Sequence, residues 1–311
     1  MSLKLRLMRW VLIFAAGVWL LSLLFNSFSE YGIEYYIPED FAAFLGAFVL
    51  LLLSMLVVSA IFFFLVRASS GPNLSLSQVY VLHHIGQVLR YIPGRFWGFL
   101  YQLEKSKTPE ARAMITNCNI QISLMTTFGT AGITSFVLTW MGEIPSYLGY
   151  SVSVLLFFVL FLALKSGIGV MMFFTRKCLP ASFYNYLNSK IKFRNEILSY
   201  PKIVIFLSML IISWMTYFIA WKQLAHAYPV LSEVNLVSLA AWYGLAWLVG
   251  FVSALTPGGL GVREASFIMM AAGNADLDLL VFIAAFIRIW FLLADLILGL
   301  IALILSLTGK S

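Results

Sequence analysis

The stretch Leu255-Thr256-Pro257-Gly258-Gly259-Leu260-Gly261-Val262-Arg263-Glu264 places a proline, three glycines and two charges between two apolar runs. In hydrocarbon every peptide N–H and C=O must be paired, so such a break survives only where protein or a water-filled cavity surrounds it. A second break, Tyr91-Ile92-Pro93-Gly94-Arg95-Phe96-Trp97-Gly98, lies 164 residues earlier (257 minus 93). Interrupted helices in corresponding places of two halves are the pattern of a transporter whose site forms where the breaks meet.

Composition fixes the environment of these breaks. Of 311 residues, 62% are hydrophobic and 11% charged, against about 25% charged in a soluble domain. The chain is therefore read as an all-α polytopic membrane protein, a single transmembrane domain over 1–311. The net charge of +7 falls mostly in short loops between spans, as the positive-inside rule expects, and calls for no nucleic acid. Cys118 and Cys178 flank spans on the side assigned to the cytoplasm, so no disulfide is expected. The apolar run from Trp10 to Phe25 follows Lys4, Arg6 and Arg9 and lacks a small-x-small cleavage site, which favours a retained signal anchor over a cleaved peptide.

Loop charge orders the spans. Span one covers about 8–28, with its N-terminus cytoplasmic, and span two about 41–66. A less apolar segment, 76–104, reads as a hairpin that dips in from the cytoplasm around the first break. Span three covers about 115–140 and span four about 147–174. Span four leads to the basic loop carrying Arg176, Lys177, Lys190, Lys192, Arg194 and Lys202. Span five covers about 203–225. If 234–254 crossed fully, the C-terminus would lie outside; if 234–273 is a second hairpin, span six (about 278–307) returns to the cytoplasm. The hairpin is preferred because it gives each half three spans plus one broken re-entrant hairpin. The halves, 1–145 and 146–311, then form an inverted repeat.

Ionisable groups within spans cost at least about 2.5 kcal/mol at the helix centre and mark function by default. Six qualify: Arg95, Lys165, Arg263, Glu264, Arg288 and Asp295. Four cations against two anions favour an anionic ligand, and lipid phosphate is the commonest anion at that depth. Arg263 and Glu264 open a helix whose free N–H groups also attract anions. Gly258, Gly259 and Gly261 after Pro257 would let a headgroup approach the backbone, and Arg95 stands in the equivalent place after Pro93 and Gly94 in the first break. The alternative is that the glycines serve only tight helix packing. Arg288 and Asp295, seven residues apart, share a face about 10 Å apart along the axis; Arg288 with Glu264 and Asp295 with Lys165 are candidate pairings. Lys165 alternatively snorkels to the interface. Adjacent His83 and His84 point about 100° apart and have no zincin partner, so no metal and no cofactor are expected.

At its two breaks the chain resembles the lysylphosphatidylglycerol synthase/flippase transmembrane family. Pro257 through Glu264 fits that family's Pro-Gly-Gly-x-Gly-x-x-Glu pattern at each defined place. Tyr91 to Trp97 is similar to the Tyr-Ile-Pro-Gly-Lys/Arg-x-Trp form of stand-alone members. The resemblance covers essentially the whole chain. It implies a flippase-like protein of the bacterial inner membrane that moves an anionic headgroup between leaflets. Aminoacylated phosphatidylglycerol and polyprenyl-phosphate-linked sugars are both open as cargo. No soluble synthase domain is expected after Ser311, so the resemblance is not taken to imply synthase activity. A membrane glycosyl- or acyltransferase and a non-catalytic scaffold are the rival readings; the first lacks a soluble donor-binding loop, and the second needs no hydrated cavity.

Overall fold

A computed structural model describes residues 37–69, 74–91, 97–166, 198–253, 259 and 261–308. Among these, α1 (Phe41–Ala68), α2 (Leu76–Leu89), α3 (Trp97–Lys105), α4 (Pro109–Trp140), α5 (Ser146–Ser166), α6 (Tyr200–Ala227), α7 (Leu236–Val252), α8 (Val262–Ala271) and α9 (Leu277–Leu307) make an all-helical architecture, with one short 3-10 turn at Pro229–Glu233. No strand occurs among the described residues.

Local chemistry sets the boundaries. Asp40 accepts the Ala43 N–H at 3.0 Å to open α1, and Ser75 and Gln78 close a reciprocal capping box on α2. Thr108 caps α4 ahead of Pro109, whose missing N–H costs nothing at a first helical position. This cap starts the helix earlier than the apolar run alone indicates. Asn235 accepts from Val237 and Ser238 to open α7.

Five helices, α1, α4, α5, α6 and α9, are long and apolar enough to cross a membrane, and the chain is a multi-pass membrane protein. At 1.5 Å per residue, the 28 residues of α1 reach about 42 Å, beyond a hydrocarbon core of about 30 Å. The 14 residues of α2 and 9 of α3 reach about 21 and 14 Å, so neither crosses alone. Helices α7 and α8 are similarly short. These pairs cover the two stretches expected to be broken, and α1, α4, α6 and α9 cover spans two, three, five and six. Span one and the far end of span four lie outside the described residues.

Each short pair packs upon itself through glycine. A Cβ on Gly98 would collide with the carbonyl oxygen of Gly86, joining α2 to α3. A Cβ on Gly259 would come within 3.0 Å of the Gly250 Cα, and Gly259 holds φ +75°, so both space and backbone exclude a side chain. Gly259 is thus committed to a tight packing contact with Gly250.

The long helices α1 and α6 lie side by side. At their crossing the Ser54 hydroxyl donates to the Ser213 carbonyl at 2.9 Å, and the Ser213 hydroxyl to the Ser54 carbonyl at 3.1 Å. Around this pair, α2 packs on α9 and α7 packs on α4. Two apolar cores flank it, one built around Trp221, Tyr243, Phe267 and Trp290, the other around Phe62, Ile115, Met125 and Leu160.

Gly98→Ala should lower unfolding stability by about 1–3 kcal/mol, the usual cost of overpacking. Gly46→Ala, where an added Cβ meets nothing within 4 Å, should leave it unchanged or raised. Thermal unfolding of the two variants in detergent checks this; equal losses would contradict the close approach of α2 and α3.

Candidate functional site

A cavity of about 380 Å³ opens where α1, α2, α4, α6, α7, α8 and α9 converge, and Ser54 and Ser213 lie on its wall. Its volume is within the range of small-molecule sites, about 300–1,000 Å³. Arg90, Arg263, Arg288 and Asp295 all line it. Arg288 and Asp295 come from α9, whose seven-residue spacing puts both on the cavity face. Arg263 comes from the first turn of α8 and Arg90 from the C-terminal end of α2.

Asp295 is buried and organises the α2 end. Its Oδ2 accepts from Arg90 Nη2 at 2.5 Å and from the Tyr91 hydroxyl at 2.6 Å. Arg90 Nη1 donates to Gln87 Oε1 at 2.6 Å, fixing the guanidinium plane. The Tyr91 ring is shared by two cations: the Arg90 and Arg288 guanidinium carbons stand 5.2 and 5.5 Å from its centroid. Both distances fall within cation–π range. One tyrosine thus ties the end of α2 to two turns of α9.

Glu264 organises the α8 end. Gly261, with φ +79°, ends the second break, and its N–H donates to Glu264 Oε2 at 2.7 Å. The other oxygen, Oε1, lies 3.8 Å from Arg288 Nε, so the pairing of Arg288 with Glu264 anticipated from the sequence is present as a buried ion pair. The same carboxylate closes the turn and steadies a cavity cation. Gly261 acts through its backbone conformation and does not line the cavity.

Other expectations differ. Lys165 does not reach Asp295: at the last turn of α5 its ammonium stands 3.7 Å from the Tyr200 ring centroid. Asp295 takes Arg90 and Tyr91 instead. The flexible lysine stem lets the charge leave the apolar interior for an aromatic face at the helix end. Arg95, Pro93, Gly94, Pro257 and Gly258 lie outside the described residues. His84 Nε2 pairs with Ser59 Oγ at 2.9 Å, and His83 packs against Phe62 with ring centroids 5.0 Å apart. No group of three metal-ligating side chains occurs among the described residues.

Sequence reasoning missed Arg90, Tyr91 and the polar wall of α4. Arg90 and Tyr91 immediately precede the first break, just as Arg263 and Glu264 follow the second, and that position was the available signal. Among the described residues, three arginines face two carboxylates, leaving an excess of one positive charge (3 minus 2). One negative charge would balance that excess.

No protein-family model, curated protein or solved structure matches the chain. The chemistry rests on the geometry.

Tyr91→Phe removes one hydrogen bond to a buried carboxylate and should cost about 1.5 kcal/mol. Arg90→Ala and Asp295→Ala should be non-additive by at least about 1 kcal/mol in a double-mutant cycle. Unfolding in detergent measures both; additive losses for Arg90 and Asp295 would contradict the pairing.

Proposed function

We propose that the chain is a lipid flippase-like transporter that moves an anionic, phosphate-bearing headgroup across a bacterial inner membrane while the lipid tails stay in the bilayer. The observation that carries this reading is the convergence of Arg90, Arg263 and Arg288 on one cavity inside a bundle of apolar spans. Guanidinium groups are expensive in hydrocarbon, and their planar forks match phosphate oxygens. Arg263 and Arg288 contact the phosphate in this reading, and Glu264 and Asp295 orient the cations. The resemblance of both breaks to the lysylphosphatidylglycerol synthase/flippase transmembrane family supports the same activity.

The halves 1–145 and 146–311 act as inverted repeats, each with three spans and one re-entrant hairpin, 76–104 and 234–273. Three features support this. Ser54 and Ser213, 159 residues apart (213 minus 54), exchange reciprocal hydrogen bonds, the self-complementary contact a two-fold axis produces. Gly86 and Gly250, each at a tight pair crossing, are separated by 164 residues (250 minus 86), the same spacing as the two breaks. The packing of α2 on α9 repeats in that of α7 on α4. Rocking one repeat against the other exposes the cavity alternately to each side. Both termini face the cytoplasm.

Reconstitution into vesicles with a labelled anionic phospholipid tests the activity. Arg263→Ala/Arg288→Ala should slow translocation at least about tenfold, the loss expected when a contact worth about 1.4 kcal/mol is removed. Equal rates for the double variant and the unsubstituted protein would overturn the reading.

A further inference from the structure

We propose that the headgroup taken by this cavity is a phosphodiester bearing an uncharged saccharide, an inference that rests on the cavity being a phosphate-lipid site. Helix α4 carries the first observation. It is the least apolar of the five candidate spans and the one with the largest buried share. Its polarity is concentrated in a row, Asn119, Ser123, Thr126 and Thr130, spaced four, three and four residues apart and so on one helical face. All four line the cavity.

These side chains offer acceptors without charge. The Asn119 amide nitrogen donates to Gln102 Oε1 at 2.7 Å and to the Ile115 carbonyl at 2.8 Å, which leaves its carbonyl oxygen to accept. The Thr126 hydroxyl donates to the Ile122 carbonyl at 2.9 Å, leaving its lone pairs. His84 lines the same cavity, with its Nε2 paired to Ser59 Oγ on the wall at 2.9 Å.

Flat apolar surface stands beside these acceptors. Trp214 and Trp247 line the cavity. The Trp214 indole is seated over Gly244, where an added Cβ would come within 2.8 Å of its Cη2. Trp247 stacks on Phe251 at 5.2 Å and 15°. A saccharide ring has the matching surfaces, a rim of hydroxyl donors and apolar C–H faces.

Charge distinguishes the candidate headgroups. The described side chains leave one positive charge (3 minus 2), which a phosphodiester neutralises. A phosphomonoester, at about −1.5 to −2, would leave excess negative charge. A lysyl-bearing phosphodiester adds two ammonium groups and would leave the site with surplus positive charge in a low-dielectric interior, which is strongly unfavourable.

Binding in lipid nanodiscs tests this with three probes: a polyprenyl-phosphate hexose, the same polyprenyl monophosphate without sugar, and lysylphosphatidylglycerol. The hexose lipid should bind at least about tenfold tighter than either other probe, a margin of about 1.4 kcal/mol. Trp214→Ala should abolish that preference while leaving monophosphate binding within about twofold, and Arg288→Ala should weaken both polyprenyl-phosphate probes. Where Trp214→Ala does not fold, Thr126→Val, of nearly equal volume, should reduce the preference in the same direction. Monophosphate or lysyl lipid binding as tightly as the hexose lipid, or a preference untouched by these variants, overturns the saccharide assignment and leaves the transporter reading standing. Failure of all three probes to bind overturns both.

Discussion

A guanidinium group in hydrocarbon demands a partner, and the geometry of the site follows from that demand. Arg90 reaches it by pairing with Asp295 across 205 residues of sequence, and Arg288 by standing beside Glu264 and over Tyr91. Each carboxylate also holds a piece of backbone or side chain at a helix end: Asp295 takes the Tyr91 hydroxyl, and Glu264 takes the Gly261 N–H. The charges therefore do two things. They make the cavity electropositive, and they fasten the ends of α2 and α8 to α9. Taking away one partner would leave the other buried and uncompensated, the costly case for ion pairs.

Glycine positions these helix ends. The close approach of Gly86 to Gly98 and of Gly250 to Gly259 packs the two helices of each short pair against each other. The ends of α2 and α8 carry Arg90 and Arg263 to the cavity wall. Van der Waals packing through small residues is the usual means of helix association in lipid, which offers little hydrophobic drive between helices. The paired serines between α1 and α6 add directed hydrogen bonds at the crossing.

Much of this was legible in the sequence, for identifiable reasons. Uninterrupted apolar runs leave the backbone only the helix, so α1, α6 and α9 follow from composition. Arg263, Glu264, Arg288 and Asp295 stand out because charge is rare in such runs, and the structure brings all four together. Lys165 has the same rarity, yet its long stem carries its charge to Tyr200, and sequence spacing does not reveal where a flexible chain ends. Arg90 escaped notice because the segment around it is of mixed polarity. The row from Asn119 to Thr130 escaped it for another reason: serine and threonine satisfy themselves on the carbonyl four residues back, so hydroxyls in a span carry little signal until their shared face is seen. Gly259 reads in the sequence as a place for close approach, and the structure shows a close approach to Gly250; packing and headgroup contact call for the same missing side chain, so sequence alone does not separate them.

Thiol labelling in native membranes tests the electropositive cavity most directly. Ser123→Cys in a Cys118→Ser/Cys178→Ser background places one reporter on the α4 wall. A water-filled, positively charged cavity requires that small charged methanethiosulfonate reagents reach it, with the anionic reagent reacting at least about tenfold faster than the cationic one, the bias of an attractive focused potential. No reaction with either reagent, or faster reaction with the cation, would contradict it.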